Sequence, residues 1–198
     1  YPASLTTEQT LTLPMLDTHL GTRSFKAFIK MAWPHVYPYK QLEQAWHIDC
    51  IIDNLEAARA RENQNLLINI PIRHGKTDLG LLFFPPWVWT GTPQVKFLTS
   101  SYSEDLCLRY ATIARNLIAS PWYQERWGTQ FSMLDNLDSK GLYQNDKGGF
   151  RYSPAAGGQV LGHEGDILVL DDPHKTHEAE SVRERATRIL WWDETFRS

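Results

Sequence analysis

The 198-residue sequence lacks several features that would define its class at once. No run of 18 or more apolar residues occurs, and the N-terminus has no basic segment followed by an apolar one, so neither a membrane span nor a secretory signal is predicted. There are only two cysteines, Cys50 and Cys107. Both fall in apolar helical patterns, and we expect reduced core residues rather than a disulfide. The expectation is a soluble protein inside the cell.

An excess of basic charge is also missing. Twenty Lys and Arg stand against 23 Asp and Glu, which gives a formal net charge of −3. This balance excludes a basic footprint spread over the whole domain, so any contact with nucleic acid needs a local patch or another part of a larger protein. The hydrophobic fraction of 42% is that of an ordinary globular protein, and the length suits one domain.

The order of apolar patterns predicts the domain organisation. Residues 1–40 are interpreted as an N-terminal extension packed on the core, in which Pro34 and Pro38 exclude regular helix from residues 33–39. Residues 41–198 form the main domain, which starts with a helical pattern over residues 41–62.

Strand and helix patterns then alternate. Short apolar runs predict buried strands at residues 66–70, 95–99 and 167–170, and a turn at residues 146–149 predicts a hairpin. Helices are predicted for residues 76–84, ending ahead of Pro85, for a segment that starts with capping-box spacing at Ser101 and Glu104, and for residues 178–192. This alternation indicates an α/β fold with a mostly parallel central sheet flanked by helices, in which ligands bind beyond the carboxyl ends of the strands.

A phosphate-binding loop is predicted between the first strand and its helix. In Gly75-Lys76-Thr77, the glycine lets the backbone approach a phosphate, Lys76 reaches the β- and γ-phosphates, and the Thr77 hydroxyl binds Mg²⁺. The usual pattern G-x-x-x-x-G-K-[ST] is broken at its first position, where Ile70 stands. The alternative is a surface loop with a solvated lysine. The residues predicted to bind nucleotide are Pro71, Ile72, Arg73, His74, Gly75, Lys76, Thr77 and Asp78.

Two acids come directly after the third predicted strand. Asp171 at the exit of the sheet can hold Mg²⁺, and Asp172 beside it can orient and deprotonate an attacking water. The alternative is structural: Asp172-Pro173 starts a turn and Asp171 caps the next segment of the chain.

Arginines are considered because phosphoryl transfer is catalysed largely by neutralising charge. Arg73 lies inside the loop and is the candidate in cis. The other three candidates are read first as structural residues: Arg109, Arg115 and Arg151.

Taken together, these motifs resemble the large terminase subunit of tailed double-stranded DNA bacteriophages over roughly residues 40–198. The resemblance rests on the segments Trp46-His-Ile48, Leu67-Ile-Asn-Ile-Pro-Ile-Arg-His-Gly-Lys-Thr77, Thr99-Ser-Ser-Tyr-Ser103, Gly157-Gly158, Gly162 and Leu168-Val-Leu-Asp-Asp-Pro173.

The resemblance implies a P-loop NTPase of the additional-strand, RecA-like class that hydrolyses ATP with Mg²⁺ to drive double-stranded DNA into a procapsid. Lys76 and Thr77 look like the phosphate and Mg²⁺ binders, Asp171 like the Walker B acid, and Arg73 like the arginine of the family's loop. Implied partners are DNA, the portal protein and the small terminase subunit. The resemblance also implies a pentameric ring on the capsid, a monomer when alone, no contact with a membrane and a location in the host cytoplasm.

The sequence departs from the family pattern in three respects. The family's catalytic base, which follows the Walker B aspartate, is often Glu. This chain has Asp172 at that position, which leaves Glu178 as a rival base. His163 stands where many relatives have an arginine. The family's coupling motif and nuclease would lie beyond Ser198, so a truncated ATPase domain without nuclease activity is expected.

Two points stay open at the level of sequence. Gln44, or Gln41, is a candidate for contact with adenine, because a glutamine-bearing segment does this in related motors. The alternative functions are another P-loop NTPase, helicase-like or a small-molecule kinase, and a nucleotide-binding assembly module without turnover.

Overall fold

A four-stranded sheet forms the centre of the molecule. The computed structural model describes residues 13–134, 141–158, 160, 163–175, 178 and 180–197. The strands β1 (Phe97–Ser101), β2 (Leu142–Gln144), β3 (Phe150–Tyr152) and β4 (Ile167–Asp171) lie in the order β2-β3-β1-β4. β1 is parallel to β3 and β4, and β2 is antiparallel to β3. The predicted α/β fold with a mostly parallel sheet is therefore confirmed, as are the hairpin and the strand that ends at the acids.

Helices cover one face of the sheet with a large apolar core. They are α1 (Leu13–Arg23), α2 (Phe25–Val36), α3 (Trp46–Arg59), α4 (Phe84–Trp89), α5 (Glu104–Ala119) and α6 (Pro121–Trp127). Phe97 of β1 lies in this core, together with Trp87 and Trp89 of α4 and Ala111 of α5. The other face carries a smaller cluster built from Leu98, Val160 and Phe196, covered by α7 (Val182–Trp191) and the π-helical turn Trp192–Phe196.

The prediction for residues 33–39 was wrong, because α2 continues through Pro34 to Val36. A proline inside a helix costs about 3 kcal/mol. The helix buries Phe25, Phe28 and Trp33, and each large apolar side chain contributes about 1.5–3 kcal/mol. The apolar stripe therefore outweighs the proline.

The helix after the loop also differs from its prediction. It runs as a π-helical turn, Asp78–Phe83, and passes directly into α4, which contains Pro85 and Pro86 at its start. Proline lacks the N–H that a helical hydrogen bond needs, and Pro85 and Pro86 lie where the π-helical turn changes into α4. The two prolines therefore mark this change within a continuous helical segment and do not end it.

The strand predicted at residues 66–70 is not formed. This segment has no regular secondary structure and lies outside the sheet, whose described strands are β1 to β4. Ile68 and Ile70 pack against the core while Leu67 is 92% exposed, so the segment has the alternation of a strand without a partner strand. The apolar residues predict which side of the segment is buried. They cannot predict whether another strand lies beside it for pairing.

Smaller differences concern a helix cap and a cysteine. The N-cap of α5 is Ser103, whose Oγ accepts a hydrogen bond from Leu106 N–H, and not Ser101. Cys50 is exposed on α3, contrary to the prediction of a core residue, whereas Cys107 is buried. None of the helices in the described ranges is long and apolar enough to cross a membrane.

Candidate nucleotide site

The carboxyl ends of β1 and β4 form the edge at which the candidate residues gather. Ser101 and Asp171 end these strands and lie side by side in register. Tyr102 N–H donates to the Asp172 carbonyl at 3.1 Å, which joins the two loops that leave the strands. In a parallel sheet this edge is the usual place for ligands.

The loop 71–75 enters the helix through two unusual backbone conformations. Arg73 has φ of +65° and Gly75 has φ of +83°. Successive turns between right- and left-handed conformations point backbone N–H groups to one side, which makes a concave anion site. The left-handed conformation favours glycine at position 75, and a Cβ added there would lie 2.9 Å from Ile48 Cδ1 of α3, so the end of that side chain would have to move.

Two side chains at the start of the helix contact the two acids after β4. Thr77 Oγ1 donates a hydrogen bond of 2.7 Å to Asp171 Oδ2. Lys76 Nζ donates to Asp172 Oδ1 at 2.5 Å, in an ion pair whose side chains are 16% and 43% exposed. The loop and the acids, 94 and 96 residues apart in sequence, thus meet in space.

Asp171 and Asp172 differ in their surroundings. Burial raises the pKa of the Asp171 carboxyl, the Thr77 hydroxyl opposes this by donating to the carboxylate, and the Asp172 charge adds to the increase. Asp172 is more exposed and has φ of +41°, a conformation that costs about 1–2 kcal/mol for a residue other than glycine. Backbone strain of this kind is concentrated at functional sites.

The donor set fits Mg²⁺. This ion takes hard oxygen ligands and is bound in phosphate-transfer sites by one or two protein oxygens together with substrate phosphates and waters. Thr77 Oγ1 and the Asp171 carboxylate supply two oxygens in direct contact. Among the described residues no group of three or more His, Cys, Asp or Glu side chains could hold a metal by itself.

The remaining predicted loop residues lie on the surface beside Gly75 and Lys76. Four consecutive residues are exposed: Pro71, Ile72, Arg73 and His74. His74 Nδ1 lies 2.9 Å from the Ile72 carbonyl oxygen, and its ring makes an edge contact with His47 at 5.3 Å between centroids. Trp46, next to His47 at the start of α3, is 82% exposed.

Other candidates have contacts that argue for structural roles. The Glu178 carboxylate accepts a hydrogen bond from Lys175 N–H and lies 4.0 Å from Arg188 Nη2. Arg151 is fully buried, and its Nε donates to Thr99 Oγ1 and Ser153 Oγ.

Two further sequence candidates lie on loops. Gln44 is exposed, one turn before Ile48. His163 packs against the rings of Tyr152 and Phe150.

The glycine-rich segment reaches the same edge of the sheet. Ala156 N–H donates to the Ser101 carbonyl at 2.9 Å, and Gly157 has φ of +91°. Trp191 Nε1 donates to the Gly158 carbonyl, so α7 is tied to this segment. Gly162 lies outside the described residues.

Sequence reasoning missed two tyrosines that contact the loop. Tyr37 Oη, at the end of α2, donates to Asp78 Oδ1 at 2.7 Å. Tyr110 of α5 lies near the same carboxylate, which together with burial raises the pKa of Tyr110. Their separation from the loop in sequence left no local pattern by which they could have been found.

Comparison with known proteins adds no assignment to this geometry. No protein-family model matches the chain, and no curated protein matches it.

Proposed function

We propose that this chain is the ATP-hydrolysing motor domain of a viral terminase large subunit, of the additional-strand P-loop class. The observation that carries the proposal is the contact of Thr77 and Lys76 with Asp171 and Asp172 at the carboxyl edge of a parallel sheet. A loop with left-handed backbone at Gly75, an ammonium group and two carboxylates at one edge is the set of groups that phosphoryl transfer needs.

Each group has a role in the proposed reaction. The loop N–H groups bind the β- and γ-phosphates, and the Lys76 ammonium neutralises their charge. Mg²⁺, when bound through Thr77 and Asp171, supplies further neutralisation of the phosphates. Arg73, exposed in the loop, is available for a third positive contact with the γ-phosphate.

Asp172 is proposed as the base. When a phosphate of ATP forms an ion pair with the Lys76 ammonium, the Asp172 carboxylate loses its ion-pair partner and is free to accept a proton from water. The water oxygen attacks the γ-phosphorus, the bond from this phosphorus to the β–γ bridging oxygen breaks, and ADP and phosphate result. Glu178 is less suited to this task because Lys175 and Arg188 already contact it.

The wider role is inferred from the motif resemblance. Hydrolysis would power movement of double-stranded DNA into a procapsid, in a pentameric ring attached to the portal protein and assisted by the small terminase subunit, in the host cytoplasm. The acidic net charge requires the DNA contact to be local.

Phosphate release from Mg·ATP tests the enzymatic proposal. We expect Lys76→Ala to abolish release, because the ammonium group at the phosphates is lost. Lys147→Ala is the matched control, since Lys147 lies in the exposed hairpin turn and pairs with Asp146. Equal rates for wild type and Lys76→Ala would refute hydrolysis at this site and leave a nucleotide-binding module.

Stimulation separates the motor from other P-loop enzymes. DNA together with portal protein should increase the rate of phosphate release, and small phosphoryl acceptors should not. Stimulation by a small acceptor alone would assign the site to a kinase.

A further inference from the structure

A carboxylate beside the phosphate loop lies next to two phenol groups from other parts of the chain. Asp78 comes directly after Thr77 and begins the π-helical turn. Tyr37 Oη donates to its Oδ1 at 2.7 Å, and Tyr110 lies close enough for the Asp78 carboxylate to raise the pKa of its phenol. The proposed reaction gives no task to either tyrosine.

Both phenols are fixed by elements that do not belong to the loop. Tyr37 ends α2, where its N–H donates to the Trp33 carbonyl and its ring packs on the Trp33 ring at 4.7 Å between centroids. Tyr110 lies on α5, inside the residues that support the large core. The core therefore fixes the positions of both phenol rings independently of the loop.

The phenols remain donors across the physiological pH range. Burial, together with the hydrogen bond and the charge of Asp78, raises the pKa of Tyr37 well above its usual value. Burial and Asp78 likewise raise the pKa of Tyr110 to about 12. Hydrogen bonds to an ionised carboxylate are about twice as strong as those between neutral groups.

The restrained carboxylate anchors the residue next to Thr77. Asp78 lies one residue from Thr77, whose hydroxyl donates to Asp171, and its charge acts on Asp171. The hydrogen bond from Tyr37 ties this first turn to the end of α2, so loss of either the phenol or the carboxylate would free the turn that carries the Thr77 hydroxyl.

We propose that Tyr37, with Tyr110 beside it, is a positioning residue that acts through Asp78 to keep the Thr77 hydroxyl on Asp171, and so sets how tightly the nucleotide-loaded site binds Mg²⁺. The inference rests on the proposed function. Under this inference α2, which lies outside the predicted nucleotide-binding domain, also positions the site through Tyr37 at its end.

The test measures Mg²⁺ dependence in the 198-residue chain. Tyr37→Phe should raise the Mg²⁺ concentration for half-maximal phosphate release by about tenfold, the loss typical when a residue supporting a metal ligand is removed. ATP affinity measured in EDTA should stay within about twofold of wild type, because the phenol does not touch the phosphates. Tyr39→Phe is the matched control, because Tyr39 is fully exposed and only two residues away; its Mg²⁺ requirement should not change.

Variants of Asp78 test whether the tyrosine acts through this carboxylate. Asp78→Ala should raise the Mg²⁺ requirement as Tyr37→Phe does. Asp78→Asn keeps an oxygen acceptor for the phenol, so its Mg²⁺ requirement should stay close to that of wild type. Tyr37→Phe added to Asp78→Ala should cause no further change, since the two residues act as one unit.

Several outcomes would overturn the inference. A Tyr37→Phe variant with a lower melting temperature but an unchanged Mg²⁺ requirement would show a purely structural tyrosine. Additive losses in the double variant would show that the tyrosine acts independently of Asp78. A wild type that neither binds nor hydrolyses Mg·ATP, with Lys76→Ala identical to it, would remove the proposed function and this inference with it.

Discussion

Asp171 ends β4 with a carboxylate that is 9% exposed, and its burial raises its pKa above the ordinary value of 3.8. The folded state therefore binds this proton more tightly than the unfolded state does. The contribution of Asp171 to stability is full below pH 3.8 and is lost as pH rises through the raised pKa. At neutral pH the ionised carboxylate reduces the stability of the fold.

Asp171→Asn should consequently leave the fold intact at pH 7, or stabilise it by about 1 kcal/mol, while abolishing phosphate release. Urea unfolding of wild type and Asp171→Asn between pH 4 and 7 measures the difference in their free energies of unfolding. The advantage of the variant should grow with pH through the titration and then stay constant. A variant that is less stable than wild type at pH 7 would show that Asp171 supports the fold.

Gly75 and Gly148 offer a matched pair at the residue scale. Both have φ near +83°, but a Cβ at Gly75 would meet Ile48 Cδ1 whereas a Cβ at Gly148 has nothing within 4 Å. Alanine at either should cost about 1–2 kcal/mol in unfolding free energy for the left-handed conformation. Only Gly75→Ala should also weaken Mg·ATP binding. Equal nucleotide binding by the two variants, measured by calorimetry, would contradict a phosphate role for this loop.

At the scale of elements, α2 is part of the core. Phe28 is fully buried, and its ring packs against the rings of Trp122, Tyr123 and Trp127. Trp87 Nε1 in turn donates to the Gly21 carbonyl of α1. Helices from residues 13–36 and from residues 84–127 thus share one apolar interior.

Phe28→Ala should reduce the unfolding free energy by about 3–5 kcal/mol, the usual cost of such a cavity. Leu20→Ala on α1 is the control, because Leu20 is more than half exposed and should change stability by no more than about 0.5 kcal/mol. Denaturant titration distinguishes the two. A small loss for Phe28→Ala would mean that α2 is only loosely attached to the domain.

The elements that the sequence predicted correctly are those whose signals are local. The turn at residues 146–149 and the apolar run before Asp171 contain their own turn residues and strand length. Residues 66–70 carried an equally good strand pattern, but a strand also needs a neighbour, which no local window reveals. At Pro34 and Pro85 the local preference was real, but the burial of neighbouring apolar side chains in the core outweighed it.

At the scale of the whole molecule, the meeting of loop and acids was predicted from one rule, that the carboxyl ends of parallel strands share an edge. The rule holds for the acids, which follow β4, but residues 66–70 form no strand of the described sheet, and the loop is placed by the packing of Ile68 and Ile70 on the core. The contact from Tyr37 to Asp78 spans 41 residues and depends on how α2 packs, so no rule of sequence spacing could predict it.

Ligand binding should stabilise the entire chain. At a Mg·ATP concentration about 100 times its dissociation constant, the free energy of unfolding should rise by about 2.7 kcal/mol. For a chain of this length that corresponds to an increase of roughly 5–10 °C in melting temperature. Lys76→Ala should remove the shift and Lys147→Ala should keep it. A shift of equal size in Lys76→Ala would mean that nucleotide binds elsewhere.

The placement of the eight tryptophans gives the molecule an optical reporter. Trp87, Trp89 and Trp127 are buried and should emit at short wavelength, unaffected by aqueous quenchers. Trp46, open to solvent and joined to the loop through His47 and His74, should account for the long-wavelength, iodide-quenchable part of the emission. Occupation of the loop should therefore be visible as a change in quenching without any attached dye.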